Sequence, residues 1–180
     1  MVLPSRPSRS LQSKDGLAPN GSRSGKLTGA PLSSIFRPSQ PSDAGAISEL
    51  LAESGLSRHT GQARTALGEN SAGIQIAVVQ SNQELIGVLQ YRIVADEAEI
   101  LDLAIAGLHR RKGNGGFLLS SFIELAAKSG VKNVFLEVRE SNRAATALYQ
   151  AVGFAECGRR LSYYRNPDEA AVLMNLKLAG

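Results

Sequence analysis

The chain has 180 residues, 43% of them hydrophobic and 20% charged, which is enough for one domain with a sizeable core. It contains no run of about 18 apolar residues, which excludes a membrane-spanning helix, and with 5% aromatic residues it is not a nucleic-acid binder that stacks bases along its length. A single cysteine, Cys157, and two histidines, His59 and His109, exclude an internal disulfide and a multi-cysteine zinc site and argue against a metal enzyme.

The net charge of +4 is unevenly distributed. Residues 1–32 carry Arg6, Arg9, Lys14, Arg23 and Lys26 against Asp15 alone, whereas residues 33–180 balance to zero. The basic excess therefore sits on a Ser-, Pro- and Gly-rich tail with few large apolar side chains. Such a tail cannot offset an ordering cost of roughly 1–2 kcal/mol per residue, so disorder is expected there. It reads as a solubilising leader or as a segment attracted to RNA or another polyanion. Its Arg/Ser-rich, acid-poor composition is also that of a transit peptide, but no convincing amphipathic helix accompanies it. With no secretory apolar core either, a cytoplasmic, metal-free protein without a membrane anchor is the expectation, and a monomer the simplest state.

From residue 33 onward, strands alternate with helices in one expected domain, 33–180. Apolar patterning starts at Ile35-Phe36. Pro41-Ser42-Asp43 is a helix start, followed by Ile47, Leu50 and Leu51 at helical spacing. A second, weakly amphipathic helix is expected over Arg58 to Leu67. Three strand-like runs follow, Ile74–Val79, Leu85–Val94 and Glu99–Ala106, with Ser81-Asn82 and Ala95-Asp96-Glu97 as turns. Gly115–Lys128 has a broad apolar helical face from Leu118, Leu119, Phe122, Ile123, Leu125 and Ala126, and Gly130 ends it. Asn133–Arg139 is a strand, Arg143–Val152 a helix, and Phe154 to Tyr164 with Ala170–Leu178 a final hairpin. This series implies an α/β (α+β) architecture, a mixed sheet with helices on both faces.

Two strand-to-helix junctions carry the chemistry. At the first, the strand through Leu103, Ala104 and Ile105 runs into Arg110-Arg111-Lys112-Gly113-Asn114-Gly115-Gly116 and then a helix. Glycines allow close approach to the main chain, the helix start presents unpaired N–H groups, and the cations add charge, a combination suited to phosphate. The pattern lacks the Gly-Lys-Ser/Thr of a Walker loop and does not match the dinucleotide fingerprint. At the second junction, Glu137 interrupts the apolar strand Val134–Val138. A carboxylate there needs a cationic partner, Arg139 or another, or else serves as a general base. Asn142 reads as a helix N-cap, and Tyr149 lies on the helix among Ala145, Leu148 and Val152.

Together, R-x-x-G-x-G and the stretch LEVRESNRAATALYQAVGF resemble the GCN5-related N-acetyltransferase (GNAT) superfamily. The resemblance is sharper to its RimI-like branch, the ribosomal-protein-alanine N-acetyltransferases. It rests on Leu136-Glu137-Val138-Arg139-Glu140-Ser141-Asn142, Ala145, Leu148-Tyr149 and Gly153-Phe154. It continues through Arg159-Arg160-Leu161-Ser162-Tyr163-Tyr164 and Asp168. It is dense over residues 99–178, thin over 33–98 and absent from the tail.

The resemblance implies a GNAT fold, its mixed sheet splayed between two parallel strands. It implies acetyl-CoA as co-substrate, contacted by Leu103, Ala104, Ile105, Arg111, Lys112, Gly113, Asn114, Gly115, Gly116 and Asn142. Glu137 takes the place of the general base and Tyr149 that of the general acid. The Ile105 N–H is a candidate to polarise the thioester carbonyl. A protein N-terminus, that of a ribosomal protein, is the implied partner, with Tyr163 and Tyr164 beside its backbone. A small amine such as a polyamine, amino acid or aminoglycoside is the alternative acceptor, and a silent CoA-binding module the alternative class. Three departures stand out: Ser57-Arg58-His59-Thr60 in place of Pro-Trp-Ser, Asn114 where an apolar residue is usual, and Gly107 in the turn after the strand.

Overall fold

The computed structural model describes residues 34–56 and 73–178. The tail over residues 1–32 and the helix expected over residues 58–67 lie outside the described residues. A seven-stranded mixed sheet runs in the order β1-β2-β3-β4-β5-β7-β6. Its strands are β1 (Ser34–Pro38), β2 (Ile74–Ser81), β3 (Glu84–Val94), β4 (Glu97–Ile105), β5 (Asn133–Arg139), β6 (Ala155–Tyr164) and β7 (Glu169–Lys177). The first patterned residues, Ile35 and Phe36, form the edge strand β1, antiparallel to β2. Among the described residues, three helices cover the sheet: α1 (Ala44–Glu53), α2 (Asn114–Lys128) and α3 (Arg143–Ala151). Among the described residues, no helix is long and apolar enough to cross a membrane.

Helix α1 starts where Pro41 opens a short 3-10 turn, and the Asp43 carboxylate accepts from the Gln40 N–H at 2.7 Å. The Arg37 guanidinium grips the same carboxylate at 2.7 and 2.9 Å, tying the helix start to β1. Ile47, Leu50 and Leu51 recur at i, i+3 and i+4, and they bury against Ile76, Val78, Val88 and Ala104 on one face of the sheet. On the other face, α2 inserts Leu118, Leu119, Phe122 and Ala126, all fully buried. Burial of this kind contributes about 1.5–3 kcal/mol for each large side chain. Gly130, at φ 81°, ends α2 in the left-handed conformation, and the N–H of Val131 bonds back to Ala126. Helix α3 packs on the α2 side, where Ala145, Leu148 and Val152 flank the core.

The β4–β5 pair gives the fold its functional shape. These parallel strands are paired only from Glu97↔Asn133 to Ile100↔Leu136, although β4 continues to Ile105 and β5 to Arg139. Beyond that point their facing edges separate. A bulge lies at the parting: Tyr91 pairs with Ile100 and Gln90 with Asp102, which leaves Leu101 extra in β4. Side chains on β4 consequently change sides. Ala98 and Ile100 belong to the α2-side core, whereas Ala104 belongs to the core under α1.

Candidate active site

The opening between β4 and β5 joins three cavities. A chamber of about 240 Å³ sits in the gap, with Asp102 on one wall, Glu137 on the other, and Tyr149 and Tyr164 at its end. A groove of about 430 Å³ runs from Ile105 past the loop at Arg111 and Gly113 to Leu148. Ala145 and Leu148 line both groove and chamber. A third cavity, of about 400 Å³, opens among Arg92, Glu99, Phe135, Cys157 and Leu173. Glu137 and Leu136 line both it and the chamber. The path therefore runs from glycine loop to sheet gap to an outer cavity.

The glycine loop builds one end. Arg111 at φ 58° and Gly113 at φ 83° turn the chain into α2. The first i→i−4 bond of the helix is Phe117 N–H to Gly113, so the N–H groups of Asn114, Gly115 and Gly116 precede it and point out of the helix start. Added to the positive end of the helix dipole, they form an anion cradle. Arg111 and Lys112 are exposed beside it. Arg110 has a different task, its Nε donating to the Ile105 carbonyl at 2.8 Å and its Nη2 reaching the Ser54 hydroxyl at 3.3 Å. Asn114 is buried, and its amide donates to the His109 carbonyl at 2.8 Å. Its side chain thus pins the loop from behind and does not line the groove, leaving only its N–H for a ligand. An added Cβ at Gly115 would lie 3.2 Å from Leu148 Cδ2, so glycine here keeps helix and groove in close approach.

Main-chain groups of β4 face the gap. The Ala106 N–H donates across to Ile86, and because N–H groups alternate along a strand, that of Ile105 points the other way, toward the opening. On β5, Val134, Leu136 and Val138 bury in the α2-side core, which sends Phe135, Glu137 and Arg139 to the opposite face. The two chamber carboxylates, Asp102 and Glu137, therefore share one face of the sheet.

Glu137 has partners. Its Oε1 meets Arg160 Nη1 at 2.7 Å, with the glutamate side chain 21% exposed. The Tyr163 hydroxyl donates to Glu137, and this bond is the main reason that the phenol titrates above its ordinary value. The neighbouring Arg139 is engaged elsewhere, with Glu169 at 2.5 Å and with its guanidinium 4.1 Å over the Tyr164 ring. Tyr164 is thereby held at the chamber's end.

Tyr149 lies on α3 with its ring in the α2-side core, edge-on to Phe154. Burial first, then the charge of Asp102, pushes its phenol up to about 12. The phenol consequently stays protonated over the physiological range. Asn142 caps α3 by accepting from the Ala145 N–H at 3.1 Å, and it also lines the chamber. The N-cap expectation and the site expectation thus fall on one residue.

The structure gathers Leu103, Glu137, Asn142, Tyr149 and Tyr164 at the chamber, and Ile105, Arg111, Gly113, Gly115 and Gly116 at the groove. Tyr163 is half-exposed and reaches the site through Glu137. Ala104 is buried under α1 and contributes packing. Sequence reasoning missed Asp102, although it breaks the apolar run Ile100–Ala106 just as Glu137 breaks its own. It also left Arg160 unnamed as the cation that reaches Glu137. Among the described residues, no three His, Cys, Asp or Glu side chains are grouped to hold a metal.

Comparison with known proteins adds the following. The Acetyltransferase (GNAT) family model matches residues 45–154. Ribosomal protein bS18-alanine N-acetyltransferase of Escherichia coli (strain K12) is 40% identical over 90 residues, 49% of this chain and 61% of that protein. The chain thus spans about three-fifths of that relative's length. The Haemophilus influenzae protein of the same name is 36% identical over 104 residues, 56% of this chain and 70% of that one. Among solved structures, the ribosomal-protein-S18-alanine N-acetyltransferase from Escherichia coli superposes with a TM-score of 0.67 at 26% identity, covering 82% of this chain and 96% of that one.

Proposed function

This chain belongs to the GNAT acetyltransferase family, and from that premise we propose that it transfers the acetyl group of acetyl-CoA to the α-amino group of a protein N-terminus, an N-terminal alanine of a ribosomal protein. One observation carries the reading. A carboxylate on β5 and a protonated phenol on α3 line a single chamber, which opens on one side to an anion cradle and on the other to an outer cavity. The curated relatives are named for that substrate.

The residues suit acetyl-CoA. The N–H groups at the start of α2, with Arg111 and Lys112, hold its diphosphate. The groove between the loop and α3 takes the pantetheine arm, and the N–H groups of Leu103 and Ile105 face its amides and thioester carbonyl. Bound there, it supplies an activated acetyl group. The amine enters from the outer cavity, past Tyr163 and Arg160.

An α-amine titrates near about 7.7–8, so much of the substrate arrives as ammonium. Its nitrogen loses two protons on becoming an amide. Glu137 takes one and returns it to solvent, which frees the lone pair for attack while the Ile105 N–H steadies the developing oxyanion. Tyr149 faces the departing sulfur. A phenol held at about 12 loses its proton to an alkyl thiolate, titrating near about 8.5, only uphill by roughly 5 kcal/mol. Tyr149 therefore works as a relay, passing a proton to sulfur as it takes up the second one from nitrogen. Direct transfer needs no acetylated enzyme, and Cys157 stays outside the chemistry.

The test is to incubate the purified protein with acetyl-CoA and a panel of alanine-headed ribosomal N-terminal peptides, their N-blocked forms and small amines. Intact-mass analysis is expected to show one added acetyl group on free N-termini only. Acetylation confined to the small amines overturns the reading.

A further inference from the structure

Arg160 touches the proposed base, and the reaction as described gives it no step. It stands on β6 opposite Ala171, and Ala171 is also the β7 partner of Arg139. Register partners share a face of the sheet, so Arg160 lies on the side of Arg139 and Glu137. Beyond it β6 bulges: four steps from Arg160 to Tyr164 run against two from Ala171 to Glu169. Ser162, at φ 49°, lies within the extra stretch. The bulge lets Tyr163 join its neighbours at the carboxylate. Its hydroxyl donates to Glu137, and its ring lies 5.5 Å from the Arg160 guanidinium carbon. Glu137 thus has two holders of different kinds. Tyr163 is a neutral donor. Arg160 is a cation 2.7 Å from Glu137 Oε1, with its side chain 54% exposed. It lines the outer cavity together with Glu97 and Glu99.

We propose that Arg160 is a displaceable latch on Glu137: its guanidinium holds the carboxylate in the resting enzyme and yields it to the ammonium of the arriving acceptor. Arg160 is then a positioning residue, and the inference rests on the reading of Glu137 as the base for an amine. A partly buried carboxylate left without a partner is costly, and the latch offsets that cost until substrate comes. The ammonium and the guanidinium are like charges that seek the same oxygens, so they do not share Glu137 at full strength. Arg160 is the one with freedom to leave. An ion pair this exposed is weak, and a long side chain on the terminal strand of the sheet regains rotamer freedom on release. Glu97 and Glu99 keep the cavity that receives the guanidinium acidic. Tyr163 stays on the carboxylate and keeps its aim while the cations exchange.

The test measures binding to the CoA-bound enzyme, which cannot turn over, at pH 6.5, where a peptide amine titrating near about 7.7–8 is charged. One ligand is a short alanine-headed peptide. The other is the same peptide with a propionyl group in place of the alanine, identical except for the missing ammonium. By calorimetry, Arg160→Gln is expected to bind the amino peptide about twofold to fivefold more tightly than the wild type, the scale of an exposed ion pair no longer to be broken. It is expected to bind the propionyl peptide as the wild type does. Arg160→Lys, which keeps the charge, is expected to bind the amino peptide as the wild type does. Unchanged or weaker binding of the amino peptide by Arg160→Gln overturns the latch. So does an equal change for both peptides, the mark of a structural role, and so does an equal gain in Arg160→Lys, which would make bulk and not charge the obstacle. A wild-type enzyme that binds CoA but neither peptide overturns the peptide reading itself, and the latch falls with it.

Discussion

Replacing Glu137 by glutamine removes the base and little else. The amide keeps the shape of the carboxyl group, and its oxygen still accepts from Arg160, 2.7 Å away, and from the Tyr163 hydroxyl. Because the Arg160 side chain is 54% exposed, the lost ion pair is screened, and the stability change is expected to stay within about 1 kcal/mol. Loss of a general base lowers turnover by about 10²–10⁴-fold, about 2.7–5.4 kcal/mol of barrier at 1.36 per decade. The size of the deficit should depend on pH in a way that identifies the role. Without a base, only amine that has already lost its proton reacts, and that fraction falls tenfold per pH unit below its pKa of about 7.7–8. In the wild type, Glu137 takes the proton from the bound ammonium, so turnover falls less steeply. The wild-type-to-variant ratio of kcat should thus widen from pH 8.5 down to pH 6.5 and narrow above pH 9. Peptide mass spectrometry under saturating acetyl-CoA reads this ratio and avoids thiol reagents, which the exposed Cys157 would consume. A ratio independent of pH, or a variant within threefold of wild type throughout, refutes the assignment of Glu137.

Three further outcomes are expected. Tyr149→Phe lowers kcat by about 10²-fold or more with acetyl-CoA binding intact. It also changes alkaline stability. The native phenol sits at about 12 against 10.0 unperturbed, so wild-type stability is full below pH 10 and falls between pH 10 and 12, by about 2–3 kcal/mol. Urea unfolding at pH 8 and pH 11 should show a loss greater in the wild type than in the phenylalanine variant by about 1 kcal/mol, roughly half of the full effect having developed at pH 11. Gly115→Ala sets a Cβ 3.2 Å from Leu148 Cδ2, at an overpacking cost near 1 kcal/mol. The Michaelis constant for acetyl-CoA is expected to rise about fivefold, that for peptide to stay level, and a fall in peptide affinity alone would refute the groove. Glu169→Gln cuts the bond to Arg139 that holds the Glu169 carboxyl below its ordinary value. The native contribution exists above the unfolded pKa and disappears as pH falls through the folded one. Wild type and variant should accordingly differ in melting temperature at pH 7 and converge in acid, and peptide binding should weaken as Tyr164 loosens.

Much of the fold was legible because period and burial agree. Val134, Leu136 and Val138 alternate as a one-sided strand should, and Leu118, Leu119, Phe122 and Ala126 mark a helix face that the structure buries completely. The loop cations were legible as a group but not individually. Arg110 satisfies the Ile105 carbonyl and Ser54, a task set by where α1 ends, and no local pattern encodes that. Asn114, a departure from the usual apolar residue, ties the loop to His109, because the first residue of α2 points into the protein. Arg160 reaches Glu137 only through the registers of two strand pairs, Arg160↔Ala171 and Glu137↔Leu173, and these are tertiary facts.

The deepest miss and the central feature of the site share one cause. A bulge adds twist and bends its strand, and the parallel pairing of β4 with β5 stops at Ile100, the residue before the extra Leu101. The same irregularity that parts the strands also inverts the side-chain alternation after it, carrying Asp102 from the core under α2 to the chamber wall. Read with unbroken period two, Asp102 is a buried charge with no purpose. With the bulge it stands in the gap that the bulge opens, so the chamber and its second carboxylate arise together from one inserted residue.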